Sequence, residues 1–595
     1  MWATQMEKEI KKPALLYAVV AAFSAIILGA FVYNLPVYRP ESEQPTPPGE
    51  ALLNAFSSLE ELRSFLTASS RTQGVFPFYS PSDMNTLVRV FGLDTTVYNA
   101  QSLKIEYSTT NIQVAGVDEA DIVKTDGQHI YVISGNNITI LKAYPPDQAR
   151  VLSKITYNDT YPVGLFVSLD RMVVLGSHYT ISTRQQLEPL VVDIKTSVDI
   201  YDISDKTQPI SLGNYTISGS YFHSRMVDEY VYFVVSQPAY VIYDTVVLPK
   251  IYAEGVIKEI SPSEIYHANA SDNYYLFTTI ASVNIQDTGE EPTHKTLMLG
   301  GTSSMYVSLN NAYITFPEPN GQTSIYRISI DGNTLSVEAH GLVPGRELNQ
   351  FSMDECENYF RIATATWTDG NVHSNVYILH PNLTISGRLE NIAPGETLDS
   401  ARFIGNRAYL STSVIQRDPF FVIDVENESN PKILGYLKIP GFTRYLHPYD
   451  EDHLIGIGKE GTIVKISLFD ATNVSAPIEL DNYYFEGSWS DTPVVNEHKA
   501  FLFDKAKDLL ALPVSIQDWS YSLWQGACVF KVTLTEGLVL RGGVTHQDSG
   551  VHSWDASYYV NRELYIENVL YTVSNRIVKM NSLSDLNLMN QIKLL

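Results

Sequence analysis

The side chains best placed to do chemistry in this sequence are charged or polar residues standing a few positions ahead of turn-forming pairs. Asp118 and Asp121 precede Asp126-Gly127, Arg225 precedes Asp228-Glu229, Asp354 precedes Glu357-Asn358, Arg402 precedes Gly405-Asn406 and His447 precedes Asp450-Glu451. Asp491 stands ahead of Lys507-Asp508, and His552 and Asp555 stand ahead of Glu567-Asn568. Brought together, the carboxylates would hold a hard cation such as calcium through oxygen ligands, or share the acid–base work of a glycoside hydrolase. Arg225 and Arg402 would clamp an anionic group. The plainer reading, which we prefer, is that these groups brace neighbouring elements, because buried charges are normally paired. Asp118-Glu119-Ala120-Asp121 spells a helicase-like motif, but no GxxxxGK[ST] phosphate loop accompanies it. No GxSxG, HExxH or EF-hand loop is present either, so no residue takes a catalytic role and no cofactor is expected beyond a possible bound cation.

The elements that must position these residues come from a repeat. Asp424, Pro431, Leu434 and Gly441 are followed at the same offsets by Asp470, Pro477, Leu480 and Gly487, and preceded by Asp202, Pro209, Leu212 and Gly219. The adjacent copies lie 46 residues apart, with several short apolar runs in each, which is the period of a propeller blade. Each Asp closes a β-rich run, such as Phe420 to Ile423. The Pro opens the outermost strand, the Leu is expected to pack inward, and the Gly lets the chain cross to the next blade. Turn pairs recur at Asp126, Asp170, Asp228, Asn310, Glu357, Gly405, Asp450, Lys507 and Glu567. The strands after them carry apolar residues on both parities, as strands covered on both faces do. The expected fold is all-β: a large β-propeller of eight or nine four-stranded blades. The first strand of each blade would line the channel and bring the candidate residues together.

Net charge is −25 over 595 residues, which argues against nucleic acid as a partner. Cys356 and Cys528 are the two cysteines, expected as buried small hydrophobes rather than a disulfide, and without a Cys/His cluster for zinc. Ala14 to Tyr33 runs 20 residues without a charge, after Lys8, Lys11 and Lys12. That is long enough to span a hydrocarbon core, with the N-terminus inside and the rest outside. A cleaved signal peptide is the alternative, and it too puts the body outside the cytoplasm. The organisation expected is a short cytoplasmic tail (1–13), a transmembrane anchor (14–33), a Pro-rich linker with a short amphipathic helix and a loop (34–106), and the propeller (107–595). The helix is expected over Leu52 to Leu66, with Ser58 and Glu61 at capping-box spacing. Asn-x-Ser/Thr sequons stand at Asn137, Asn158, Asn214, Asn269, Asn382, Asn427 and Asn473, candidate glycan sites on an extracellular chain.

The stretch Thr110-Asn-Ile-Gln-Val-Ala-Gly-Val-Asp-Glu-Ala-Asp-Ile-Val-Lys-Thr-Asp-Gly127 resembles a family of secreted or membrane-anchored archaeal and bacterial proteins. These carry a C-terminal β-propeller domain distantly like WD-repeat propellers. Asn349 to Glu355, Asp418 to Asp424 and Pro440 to Pro448 support the resemblance, which covers about residues 50 to 595. It implies a propeller and an extracytoplasmic place, and no particular activity. The function expected is that of a cell-surface binding scaffold for a protein or glycan, anchored through 14–33. The alternative is an extracytoplasmic hydrolase or metal-dependent enzyme using channel carboxylates. Trp367, Trp489, Trp519, Trp524 and Trp554 would form a sugar platform, with packing between blades preferred for Trp489 and Trp554. Longer segments, among them 237–272 and 515–525, are expected on the faces of the ring, where binding usually lives.

Overall fold

The computed structural model describes residues 53–70, 105–182 and 191–594, apart from 240, 243, 254, 268–274, 369, 415–416 and 549–553. The expected anchor (14–33), the Pro-rich linker, His552 and Asn269 lie outside the described residues. The described residues fold into nine consecutive sheets of four or more strands, antiparallel except where Ile265–His267 pairs parallel with Thr293–Leu299. We number them as blades 1 to 9, at 123–156, 161–218, 220–299, 304–344, 353–392, 397–440, 442–484, 489–544 and 562–593. All nine turn pairs expected from the sequence join the first and second strands of a blade.

The two-parity pattern explains how the blades stack. Along the second strand of blade 3, Tyr230–Pro238, alternate residues point to opposite faces. Val231, Phe233 and Val235 pack with residues of blade 2, while Tyr232 and Val234 pack with residues of blade 4. The same arrangement recurs at every junction, so that nine apolar clusters join blade to blade in turn. Fully burying each such Val or Phe contributes about 1.5–3 kcal/mol.

The ring closes where blade 9 meets blade 1. Val569, Tyr571 and Val578 pack against Ile130, Val132 and Leu141, and Tyr571 Oη donates to Ala143 O at 2.8 Å. The final run, Leu588–Lys593, is the outermost strand of blade 9 and meets blade 1, where Asn590 Nδ2 donates to Pro146 O at 2.6 Å. Its Leu594 neighbour is buried in the closing cluster, but Leu588 and Met589 face solvent.

The repeat has a local cause at each position. Asp202, Asp424 and Asp470 each accept a hydrogen bond from the backbone N–H two residues on, turning the chain after the third strand. The Pro stands just before the outer strand, where no ladder bond is lost. The Leu does not pack inward as expected. Leu212 and Leu480 lie on the rim, more than a third exposed, and only Leu434 joins an inter-blade cluster. Gly441 holds a left-handed φ of 101° where the chain crosses to the next blade, and a Cβ there would sit 2.8 Å from Lys459 O.

Ahead of the ring, a helix spans Leu59–Ser70 rather than beginning at Leu52, because Asn54–Ala55 pair with Tyr266 and His267 as a short strand. Ser58 Oγ caps Glu61 N at 3.2 Å, while the Glu61 carboxylate turns back to Ser57. Leu62 and Leu66 are buried beside blades 2 and 3, whereas Leu59 is exposed.

Candidate functional site

In a four-stranded antiparallel blade, the first-to-second and third-to-fourth turns share one edge. The second-to-third turns and the crossovers between blades share the other. With first strands innermost in every blade, the ring has a turn face and a crossover face. What closes its axis is the segment 107–121, which overlaps the stretch 110–127 that carries the resemblance. Tyr107 bridges Ile566, and Ser108 N donates to Tyr565 O at 3.0 Å, on the first strand of blade 9. Asn111 Nδ2 donates to Tyr445 Oη in blade 7 and, at 3.0 Å, to His498 O in blade 8. Gln113 Nε2 donates to Gln350 O and Met353 O at the entrance of blade 5. Val117–Glu119 then pairs along the inner edge of Ser220–Val227 in blade 3, and Asp121 bridges Leu165 in blade 2. A single segment bonded to the inner strands of this many blades fills the axis.

Blade 8 is built to receive it. Its inner strand is interrupted: Trp489–Asp491 and Leu502–Asp504 both pair with Leu509–Gln517, and the residues between bulge inward. The bulge brings Lys499 Nζ to Ala120 O at 3.0 Å and His498 Nε2 to Asn111 O at 3.0 Å. Burial, reinforced by Lys499, Arg562, Arg225 and Arg402, holds the His498 imidazole well below its usual range, so it is neutral here.

The structure brings some of the expected residues together and spreads others. Asp118 takes Lys124 Nζ at 2.6 Å. Asp121 accepts from Arg562 Nε at 2.9 Å, with both side chains buried. Arg225 faces Glu119 at 3.5 Å and donates to Gln350 Oε1. Burial pushes the Glu119 carboxyl up, against the pull of Arg225 and Lys499. Asp354 holds Arg361 Nε at 2.8 Å, and Arg361 reaches Gly405 O in blade 6, so this pair braces two blades. His447 is buried between Tyr445 and the Phe501 and Phe503 rings of blade 8. Asp491 pairs with Lys459 of blade 7 at 2.7 Å, and Asp555 caps the short turn Ala556–Tyr558. Arg402 is buried and not paired with Asp399, its neighbour on the same strand. The Asp399 carboxylate is bonded to Ser413 and lies 3.9 Å from Arg444.

The reading from sequence missed Glu119, Lys499, Arg562 and the glutamines, because no blade repeats the segment that they hold. It also missed Glu563, which is buried with both carboxylate oxygens unpaired and a carboxyl that burial drives well above the usual range. Among the described residues no three His, Cys, Asp or Glu side chains gather as a metal site. The Gly-x-Gly-x-x-Gly spacing at 456–461 lies on the hairpin of His453–Glu460 and Ile463–Asp470, not on a strand-to-helix turn. Both cysteines are free, and burial pushes the Cys528 thiol up to about 12. Of the sequons, Asn158, Asn214, Asn382, Asn427 and Asn473 are exposed and Asn137 is half-buried.

Two hollows remain. One of about 420 Å³ opens at the rim between blades 7 and 8, lined by Tyr483, Phe485 and Trp524. The other, of about 160 Å³, opens beside the axis on the crossover face, between Asn349, Phe351, Asp399, Arg444 and Asn496. Tyr445 and His498, which grip Asn111 of the axial segment, also line it. The same face carries every tryptophan among the described residues. Trp367 and Trp519 stand at second-to-third turns, Trp554 and Trp489 at crossovers, and Trp524 just after the turn of blade 8. Trp519 is 82% exposed and Tyr521 77%, on a turn tied by Asp518 to Ser520 N and Ser522 N. Trp489 and Trp554, expected between blades, are exposed as well.

A family model described as a β-propeller domain matches residues 107–586, starting at the first residue of the axial segment. An uncharacterised protein of Archaeoglobus fulgidus is 26% identical, over 86% of this chain and 92% of its own. The uncharacterised protein MJ1554 of Methanocaldococcus jannaschii is 28% identical, over 79% of this chain and 80% of its own. Among solved structures, the dihydro-heme d1 dehydrogenase NirN overlaps 70% of this chain and 72% of its own, at a TM-score of 0.34 and 10% identity.

Proposed function

The chain belongs to the β-propeller domain family, and from that premise we propose that it is a binding scaffold whose protein or glycan ligand docks on the crossover face. One observation carries this reading. The axis is filled by residues 107–121, so a ligand meets the ring at a face, and the described tryptophans all stand on one of the two. Trp and Tyr give large contact area at low entropic cost, and they dominate binding hot spots. The Asp518 tether fixes the Trp519 and Tyr521 turn before any ligand arrives. The hydrolase alternative draws less support, since Asp118, Asp121 and Asp354 are committed to Lys124, Arg562 and Arg361.

We place the ring outside the cytoplasm, held at a membrane by residues 14–33, on the strength of the charge-free run that follows three lysines. Mass spectrometry of the native N-terminus tests the anchor, and a mature chain starting after Ala30 would contradict it. The docking face is tested by a photo-crosslinking residue placed in intact cells at Trp519 or Trp367, and separately at Asp205 or Asp585 on the turn face. Adducts should form from the first pair and not the second. The reverse pattern overturns the reading.

A further inference from the structure

We propose that the axial cavity on the crossover face binds a small monocarboxylate, with Arg402 as its counter-ion and Arg444 as a second cation at the rim. The proposal deepens the reading of this face as the docking face. It begins with a charge count. The cations that meet at the axis have acidic partners: Arg225 has Glu119 at 3.5 Å, Arg562 has Asp121 at 2.9 Å, and Lys499 has Glu497 at 3.7 Å. Arg402 is the exception. It is 4% exposed, its Nε and Nη1 have no hydrogen-bond partner, and among the described residues no carboxylate forms an ion pair with it. A buried guanidinium without an anion is an expensive arrangement, and buried charges elsewhere in proteins are paired or bound to ions.

The unpaired group stands beside the cavity. Its Cζ lies 5.3 Å over the ring of Phe351, one wall, and its charge acts on His498, another. Phe351 supplies only its ring face, which stabilises a cation without neutralising it. Of the charged groups that line the cavity, Arg444 and Asp399 offset each other and His498 is neutral, so Arg402, set against the Phe351 wall, leaves one positive charge. That balance suits a single negative charge and disfavours a phosphate dianion. About 160 Å³ is the share of roughly five waters, room for a carboxylate and a few carbons. Asn349 and Asn496 line the same hollow and offer amide donors to a second oxygen.

The test is saturation-transfer NMR on the methyl group of acetate, with the purified full-length chain at constant ionic strength. Transfer is expected with the wild type, several-fold weaker with Arg444→Ala, and lost with Arg402→Met. Arg402→Met should fold, since it replaces an unpaired charge with an apolar chain of similar length, and its melting temperature without acetate should match or exceed that of the wild type. If that variant nevertheless fails to fold, Arg444→Ala at the half-exposed rim decides. No transfer with the wild type, or equal transfer with the variants, overturns the proposal. Crosslinking from Trp519 and Trp367 does not depend on Arg402, so loss of acetate binding with those adducts intact removes this inference and leaves the docking face standing.

Discussion

Asp121 and Arg562 are 441 residues apart in the chain and 2.9 Å apart at the axis, where Arg562 Nε donates to Asp121 Oδ1. The contact fastens the end of the axial segment to the last blade, beside the junction at which the ring closes. Both side chains are buried. Removing one partner leaves the other as a stranded charge, so Arg562→Met should lower unfolding stability by about 3–5 kcal/mol. Lys432 pairs with Asp424 at 3.3 Å on the surface. Lys432→Met should therefore cost only about 0–1 kcal/mol. Urea melts of the two variants check the contrast, and equal effects would mean that the axial pair is not holding the ring.

The glycine that ends the repeat gives a second prediction. Gly441 combines a φ of 101° with a carbonyl 2.8 Å from where a Cβ would go. Gly441→Ala should cost about 1–3 kcal/mol, the usual range for strained backbone. Gly213 has open space around its Cβ position. Gly213→Ala should be close to neutral, and thermal melts will separate the two.

These positions also show what the sequence made legible. Blade architecture could be read because it repeats: each turn pair, each Asp before its polar turn and each crossover glycine is written several times. Stacking could be read because strands covered on both faces carry apolar residues on both parities. The axial segment is written once, so no period exposes it. Its partners, Tyr445, His498, Gln350 and Arg225, are scattered over hundreds of residues and meet only when the ring closes. Arg402 and Arg225 have similar sequence surroundings and different fates, because the pairing of Arg225 depends on Glu119 from the axial segment, which no local pattern announces. The inward Leu of the repeat was misread for a related reason: the outer strand has a solvent side, and alternation alone does not say which parity faces it.

Glu563 is a buried acid without a hydrogen-bond partner among the described residues, and it works against stability as pH rises. Its carboxyl is held by burial well above the ordinary value of 4.5. Between that value and its raised folded-state pKa, the unfolded chain releases a proton that the folded chain keeps, so stability falls with rising pH. Glu563→Met should raise stability by about 1–3 kcal/mol at pH 8, the cost of an unsatisfied buried group. The gain should shrink toward pH 5. A gain that is the same at both pH values would contradict this assignment.

His546 and His340 act in the opposite direction. Burial lowers His546 to about 3 and His340 to about 4. Below the unfolded value of 6.5, the unfolded chain takes up protons that the folded histidines refuse, so stability falls as pH falls. Each should contribute a slope of about 1.4 kcal/mol per pH unit between roughly pH 6 and its folded-state value. His546→Gln should remove one such slope, as read from urea melts at pH 4.5 and 6.

The central claim is that residues 107–121 are a fixed part of the ring and close its axis. Native-state hydrogen exchange of that segment under increasing urea tests it most directly. The amides of Ser108 and Asp121 donate to Tyr565 O and Leu165 O on inner strands. They should exchange only with global unfolding, in step with the inner strands of blades 2 and 9. Exchange within seconds, independent of urea, would mean that the segment swings free and the channel opens, and would contradict the account.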